Sequence, residues 1–239
     1  QAPTVILHNH FCMAELLQYI LFFEDTIVKT TLRIRFFHAM IENNNRYGND
    51  RDLFFREEED WGRYNQMKLL IVIDMQNDFI DGALGTAEAA AIVPKVIAKI
   101  KGFDGTVLAT QDTHYENYLT TQEGKNLPVP HCIVNTEGWQ IRKEIADLIS
   151  TEPIIKETFG SSRLPERIRT LSDQEAIESI TLVGLCTDIC VISNAMVLKA
   201  FFPEFPIHVD ASCCAGVTRE SHLQALEAMK VCQMIVENE

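Results

Sequence analysis

Thr187-Asp188-Ile189-Cys190-Val191 follows the apolar run Ile180-Thr181-Leu182-Val183-Gly184-Leu185, which puts a cysteine in the first turn of a helix leaving a buried strand. Free backbone N–H groups and the helix dipole favour a thiolate there, and a thiolate held that way attacks carbonyl carbons. Two further residues complete the chemistry. Asp74 closes the run Ile71-Val72-Ile73, and Lys156 closes Ile154-Ile155. A carboxylate can take the thiol proton and an ammonium can favour the sulfur anion, so Cys190, Asp74 and Lys156 suit nucleophile, base and cation. Each has a plainer reading as well: Asp74 could cap a turn, Lys156 could end a strand in solvent, and Cys190 could fill the core. Chemistry is favoured by their shared place at strand ends, since ligands of an open parallel sheet collect outside the carboxyl ends of its strands.

The elements that must position these residues are legible from Lys68 onward, where short β-branched runs alternate with helical patterns. That alternation marks an α/β class with a parallel sheet. Strands are expected at Leu69–Asp74, Thr106–Gln111, Pro153–Lys156, Ile180–Leu185, Ile207–Asp210 and Cys232–Val236. Helices are expected near Ala89–Lys101, Trp139–Ser150, Leu164–Leu171, Asp188–Phe201 and Arg219–Lys230, the last opened by Thr218 with Glu220 and Ser221. Asp112 to Gly138 has no period and carries Gly124, Pro128 and Pro130; a loop of that length in a compact domain is usually functional.

Residues 1–66 behave differently. Ala14–Ile41 is apolar on almost every side, Glu42–Asp60 is polar, and neither alternates as a further strand would. Met67 stands before the first strand as an initiator methionine would. Residues 1–66 are therefore expected to be an N-terminal extension without a catalytic part, an oligomerisation or docking helix being the alternative, and 67–239 to form the domain that carries the chemistry.

Composition excludes some classes. At 239 residues and 46% hydrophobic content the chain can bury one substantial core. A formal net charge of −13 with no basic stripe argues against nucleic acid. No uninterrupted apolar segment is long enough for a bilayer, and the N-terminus lacks the order of a secretory signal, so neither a membrane nor export is expected. The seven cysteines include no CxxC pair and suit a reducing cytoplasm, with most of them buried as small hydrophobes.

From Met67 to the C-terminus the chain resembles the isochorismatase-like cysteine hydrolases, most closely their nicotinamidase-related branch. The resemblance rests on Asp74-Met75-Gln76-Asn77-Asp78-Phe79, Thr110-Gln111-Asp112-Thr113-His114, Pro130-His131-Cys132, Lys156 with Phe159, and Gly184-Leu185-Cys186-Thr187-Asp188-Ile189-Cys190-Val191, in family order. It implies a three-layer α/β/α fold with a six-stranded, mainly parallel sheet. It also implies a catalytic triad at Asp74, Lys156 and Cys190. Cys190 would attack an amide carbonyl, Asp74 would pass the thiol proton to the departing amine, and water would then hydrolyse the thioester. A non-proline cis peptide is implied between Leu185 and Cys186, with the backbone N–H groups of Cys186 and Cys190 as the oxyanion hole.

The resemblance further implies one divalent ion, zinc, iron or manganese, held by Asp112, His114 and His131. Here the chain departs from nicotinamidases, because Tyr118 stands where a second histidine would be. The plainer alternative is that Asp112 and His114 bond within the loop while His131 packs beside Cys132. Phe79, Trp139 and Phe159 could wall a substrate pocket by stacking on a flat molecule, or could be core. His208 and His222 show no partner pattern and read as structural. The leading expectation is a hydrolase of C–N bonds other than peptide bonds, an amidase of nicotinamide or a relative, soluble and homo-oligomeric. Alternatives are hydrolysis of a carbamoyl or ureido group and a non-catalytic binding protein that keeps the fold.

Overall fold

Leu69-Leu70-Ile71-Val72-Ile73 is apolar at every position, a pattern stable in a strand only when both its faces are covered. The computed structural model describes residues 66–239, and the expectation for the preceding segment lies outside the described residues. Strand β1 (Gln66–Ile73) occupies the middle of the sheet. It pairs in parallel with β2 (Thr106–Asp112) on one side and β4 (Ala176–Leu185) on the other. Outside these lie β3 (Ile154–Lys156), β5 (Ile207–Ala215) and β6 (Ile235–Glu237). The order is β3-β2-β1-β4-β5-β6, with all neighbours parallel.

Seven α-helices are described: α1 (Asn77–Ile80), α2 (Ala87–Lys101), α3 (Gln122–Asn126), α4 (Lys143–Ala146), α5 (Arg163–Ser172), α6 (Ile192–Phe201) and α7 (Arg219–Val231). Period-two alternation along β1 sends Leu69, Ile71 and Ile73 to one face, where they join Leu164 and Ile168 of α5, Leu198 of α6 and Leu226 and Met229 of α7. Leu70 and Val72 take the other face with Ile92, Val96 and Ile100 of α2. Each such side chain, fully buried, contributes about 1.5–3 kcal/mol relative to exposure. The three-layer α/β/α class read from the sequence is the one observed. Among the described residues, no helix is long and apolar enough to cross a membrane.

The chain runs outward from β1 through β2 to β3, then returns to the other side of β1 as β4. The carboxyl ends of β1 and β4 thus flank the point where the winding reverses, and a crevice opens there. Register is fixed at that end by Gly184, which pairs with Ile73. Gly184 has φ +121°, and a Cβ there would stand 2.0 Å from the Ile73 carbonyl oxygen, so glycine alone allows the strands to lie so close.

Several elements differ from their sequence expectation. Strand β1 stops at Ile73, because Asp74 adopts a left-handed φ of 45°. The helix expected over Trp139–Ser150 shrinks to α4, since the segment before it is spent on the loop after β1: Ile141 bridges Gln76, and the Arg142 N–H donates to the Met75 carbonyl. Cys232 closes α7, Gln233 turns left-handed at φ 68°, and β6 begins only at Ile235. The helix expected over Asp188–Phe201 splits into a wide π turn, Thr187–Val191, followed by α6. Thr218 and Ser221 form the reciprocal cap that opens α7.

Candidate active site

Asp74 is held by side chains of β2 and of the strand beyond it, β3. Its buried carboxylate accepts a 2.7 Å bond from the Thr110 hydroxyl on β2, and its other oxygen lies 2.7 Å from Lys156 Nζ. Gln76, fully buried two residues on, fixes the loop by mimicking a strand: its Oε1 accepts from the Asp112 N–H and its Nε2 donates to the carbonyls of Asp112 and Trp139. Lys156 ends β3; its ammonium donates to Asp112 Oδ1 at 2.8 Å and to Cys190 Sγ at 3.5 Å, and its contact with Asp74 is an ion pair. The three residues singled out from the sequence therefore meet at one place. Asn194, which the sequence reading missed, ties them to the next loop: it donates to the carbonyls of Cys190 and Phe159 and accepts from the Ser161 N–H. It stands one turn after Cys190, a spacing that could have flagged it.

Burial pushes the Cys190 thiol well up and the Asp74 carboxylate adds to this, against the pull of the Lys156 ammonium. Burial likewise raises Asp74, against the pull of Lys156. Lys156 is held well above its ordinary range because Asp74, Cys190 and Asp112 together overcome the cost of its burial. A buried thiol and a buried carboxylate thus share one fixed cation, an arrangement able to pass a proton between sulfur and carboxylate.

Asp112 has a second face. Its Oδ2 lies 2.9 Å from His114 Nε2 and 3.9 Å from His131 Nε2, and ligand atoms of these three residues all fall within 4.8 Å of one another. His131 Nδ1 is 2.8 Å from the Val129 carbonyl, which can only accept, so in the neutral ring Nε2 presents its lone pair to the cluster. His114 Nε2 is buried and makes no well-formed hydrogen bond despite its close carboxylate. Burial alone would lower His114, but Asp112 and Glu123 push it up to about 9. Three ligand atoms gathered within 4.8 Å, with an orphaned buried nitrogen among them, fit a divalent ion that would replace the proton on His114, and Asp112, His114 and His131 are the residues that would hold it.

Tyr118 does not stand in for a missing ligand. Its hydroxyl donates to the Leu127 carbonyl at 2.9 Å, its ring packs edge-on against His114 and His131, and burial with Glu123 and Asp112 pushes its phenol up to about 12. Glu123, on α3, comes closer instead, with Oε1 3.4 Å from His114 Nε2 and 3.6 Å from His131 Nε2. Nothing in the sequence pattern of the loop distinguished it from other surface acids.

These groups line a cavity of about 740 Å³. Phe79 forms part of its wall and Phe159, 47% exposed, its mouth. Trp139 is not among the lining residues; its indole N–H is committed to the Thr113 hydroxyl at 2.8 Å and the ring packs on the core. Cys186 and Cys190 both reach the cavity, and the bond between Leu185 and Cys186 is cis. The Asp112, Glu123 and Glu157 carboxylates line it, and no Lys or Arg of the described residues does.

A family profile described as "Isochorismatase domain" matches residues 68–238. The nicotinamidase of Schizosaccharomyces pombe is 27% identical over 198 residues, 66% of this chain and 87% of that protein. An uncharacterized isochorismatase family protein of Bacillus subtilis, PncA, is 31% identical over 176 residues, 66% of this chain and 92% of its own length. Among solved structures, the pyrazinamidase of Pyrococcus horikoshii in complex with zinc superposes with a TM-score of 0.61 at 26% identity, covering 72% of this chain and 99% of that one.

Proposed function

The chain belongs to the isochorismatase family, and we propose that within it the protein is a cysteine amidohydrolase of a small carboxamide, nicotinamide or a relative, releasing ammonia. The observation that carries this reading is the Lys156 ammonium lying 2.7 Å from the Asp74 carboxylate and 3.5 Å from the sulfur of Cys190, a residue that lines the cavity. Cys190 Sγ forms a bond to the amide carbon while its proton passes to Asp74, and the carbonyl oxygen takes the negative charge. The N–H groups of Cys186 and Cys190 receive that charge. Asp74 then returns the proton to the nitrogen, the C–N bond breaks, and ammonia leaves a thioester. Water, losing a proton to Asp74, cleaves the thioester; the acid departs and the thiol is restored. Lys156 stays protonated throughout and keeps the sulfur and the carboxylate in register.

A divalent ion held by Asp112, His114 and His131 would supply a Lewis-acidic point able to orient a substrate through a lone pair such as that of a ring nitrogen. The chain's own residues do the rest: Phe79 offers a flat face, and the carboxylates on the cavity wall oppose acidic substrates. That charge favours a neutral carboxamide over a carbamoyl compound bearing a carboxylate.

The test is ammonia release from a panel of neutral amides, including nicotinamide and pyrazinamide, and of N-carbamoyl acids. Turnover is expected on the neutral amides, with a fall of at least about 10³-fold in Cys190→Ala and in Asp74→Asn. Wild-type rates in Cys190→Ala would exclude the thioester route; silence on every amide would leave a protein that keeps the fold for binding.

A further inference from the structure

We propose that His222 is a positioning residue for the nucleophile, gripping the turn that carries Cys190 through the hydroxyl of Thr187; this rests on the thiol-hydrolase reading above. Thr187 opens the wide turn Thr187–Val191, is fully buried, and places its Oγ1 2.8 Å from His222 Nδ1. The next residue, Asp188, accepts from the Val217 N–H through both carboxylate oxygens, at 3.1 and 3.2 Å. The first two residues of the turn are therefore fastened to one short stretch of chain, the entry to α7.

That entry is itself rigid. Thr218 and Ser221 cap it reciprocally, and the His222 N–H donates to the Thr218 carbonyl at 3.0 Å. Gly216 lets the backbone pass flush against the histidine, since a Cβ there would meet His222 Cβ at 2.9 Å. Burial draws the His222 imidazole below its ordinary range, against the opposing Asp188 carboxylate, in keeping with a neutral ring that shares one hydrogen bond with a hydroxyl.

A π turn holds one residue more than an α turn and has poorer internal hydrogen bonding, so its shape depends on what anchors it from outside. Two of its bonds share one acceptor, the Cys186 carbonyl, which takes the N–H groups of both Ile189 and Val191, and the Ile192 N–H closes the turn onto the Thr187 carbonyl. Without the His222 anchor the turn can relax toward an ordinary helix, carrying Cys190 Sγ away from its 3.5 Å contact with Lys156. A misplacement of about 1 Å at a reacting atom costs on the order of 100-fold in rate.

The experiment compares His222→Leu, His222→Asn, Thr187→Val and the double variant Thr187→Val/His222→Leu in the full chain. Two quantities are read: steady-state kinetics on the best amide, and the rate at which iodoacetamide labels Cys190, followed by peptide mass spectrometry. His222→Leu is expected to lower kcat by about tenfold or more with KM within about twofold, and to slow labelling comparably. His222→Asn, whose side-chain oxygen falls near the place of Nδ1, restores most of both rates, and the double variant is no worse than the worse single one. Unchanged labelling in His222→Leu, an Asn variant as impaired as Leu, or additive losses would overturn the proposal. If His222→Leu does not fold, Thr187→Val and His222→Asn decide it by the same two readings. Labelling needs no substrate, so a wild type silent on all amides with labelling still slowed in Thr187→Val would sink the amidase reading and leave this one standing.

Discussion

Glu123 is the carboxylate that stands beside both imidazoles of the histidine cluster. The sequence suggested a three-residue ligand set weakened by Tyr118, but the fold turns the Tyr118 hydroxyl toward Leu127 and brings the Glu123 carboxylate within 3.6 Å of both imidazoles. Glu123→Ala is expected to lower zinc affinity by about 10–100-fold in a competition titration with a chromophoric chelator. Tyr118→His should leave that affinity unchanged, because the substituted ring would occupy a packing position rather than the convergence point. An unaltered affinity in Glu123→Ala would reduce the carboxylate to a hydrogen-bond acceptor for His114.

Asp74 follows the end of β1 and the turn carrying Cys190 follows the end of β4, and the separation of these strands depends on Gly184. Gly184→Ala adds a Cβ 2.0 Å from the Ile73 carbonyl at φ +121°, so it is expected to cost at least about 3 kcal/mol. Urea unfolding should show that loss as a lowered midpoint with unchanged slope; a wild-type midpoint would mean that the strands can part without penalty. Such strands were legible because a segment buried on both faces must be apolar at every position, as Leu69–Ile73 is. Asp74 and Lys156 were legible for the same reason, as polar residues at the ends of apolar runs, and Cys190 as a thiol in the first turn after such a run. Trp139 misled because its aromatic character says nothing about its indole N–H, which Thr113 consumes. Glu123 and His222 were hidden for a different cause. Glu123 arrives from a loop without a period, and the Thr187–His222 contact joins residues 35 positions apart with no repeating pattern between them.

Across the molecule, the Lys99–Asp210 ion pair at 2.8 Å clamps α2 to β5 and ties stability to pH. Burial would raise Asp210, but bonds from Lys99 and Ser212 hold its carboxyl below the ordinary value. A carboxyl depressed by folding stabilises the native state above its unfolded pKa of about 3.9, and that contribution disappears as pH falls through the folded value. Asp210→Asn should therefore be less stable than wild type by about 2 kcal/mol at pH 7, with the gap closing below about pH 4 in urea titrations. A gap independent of pH would assign the loss to packing. Asp112 joins two regions that could have been separate: one oxygen bonds the ammonium serving the thiol, and the other faces the imidazoles. A charge placed on the histidine side is therefore expected to be felt at the sulfur through Asp112 and Lys156, coupling the two halves of the cavity electrically.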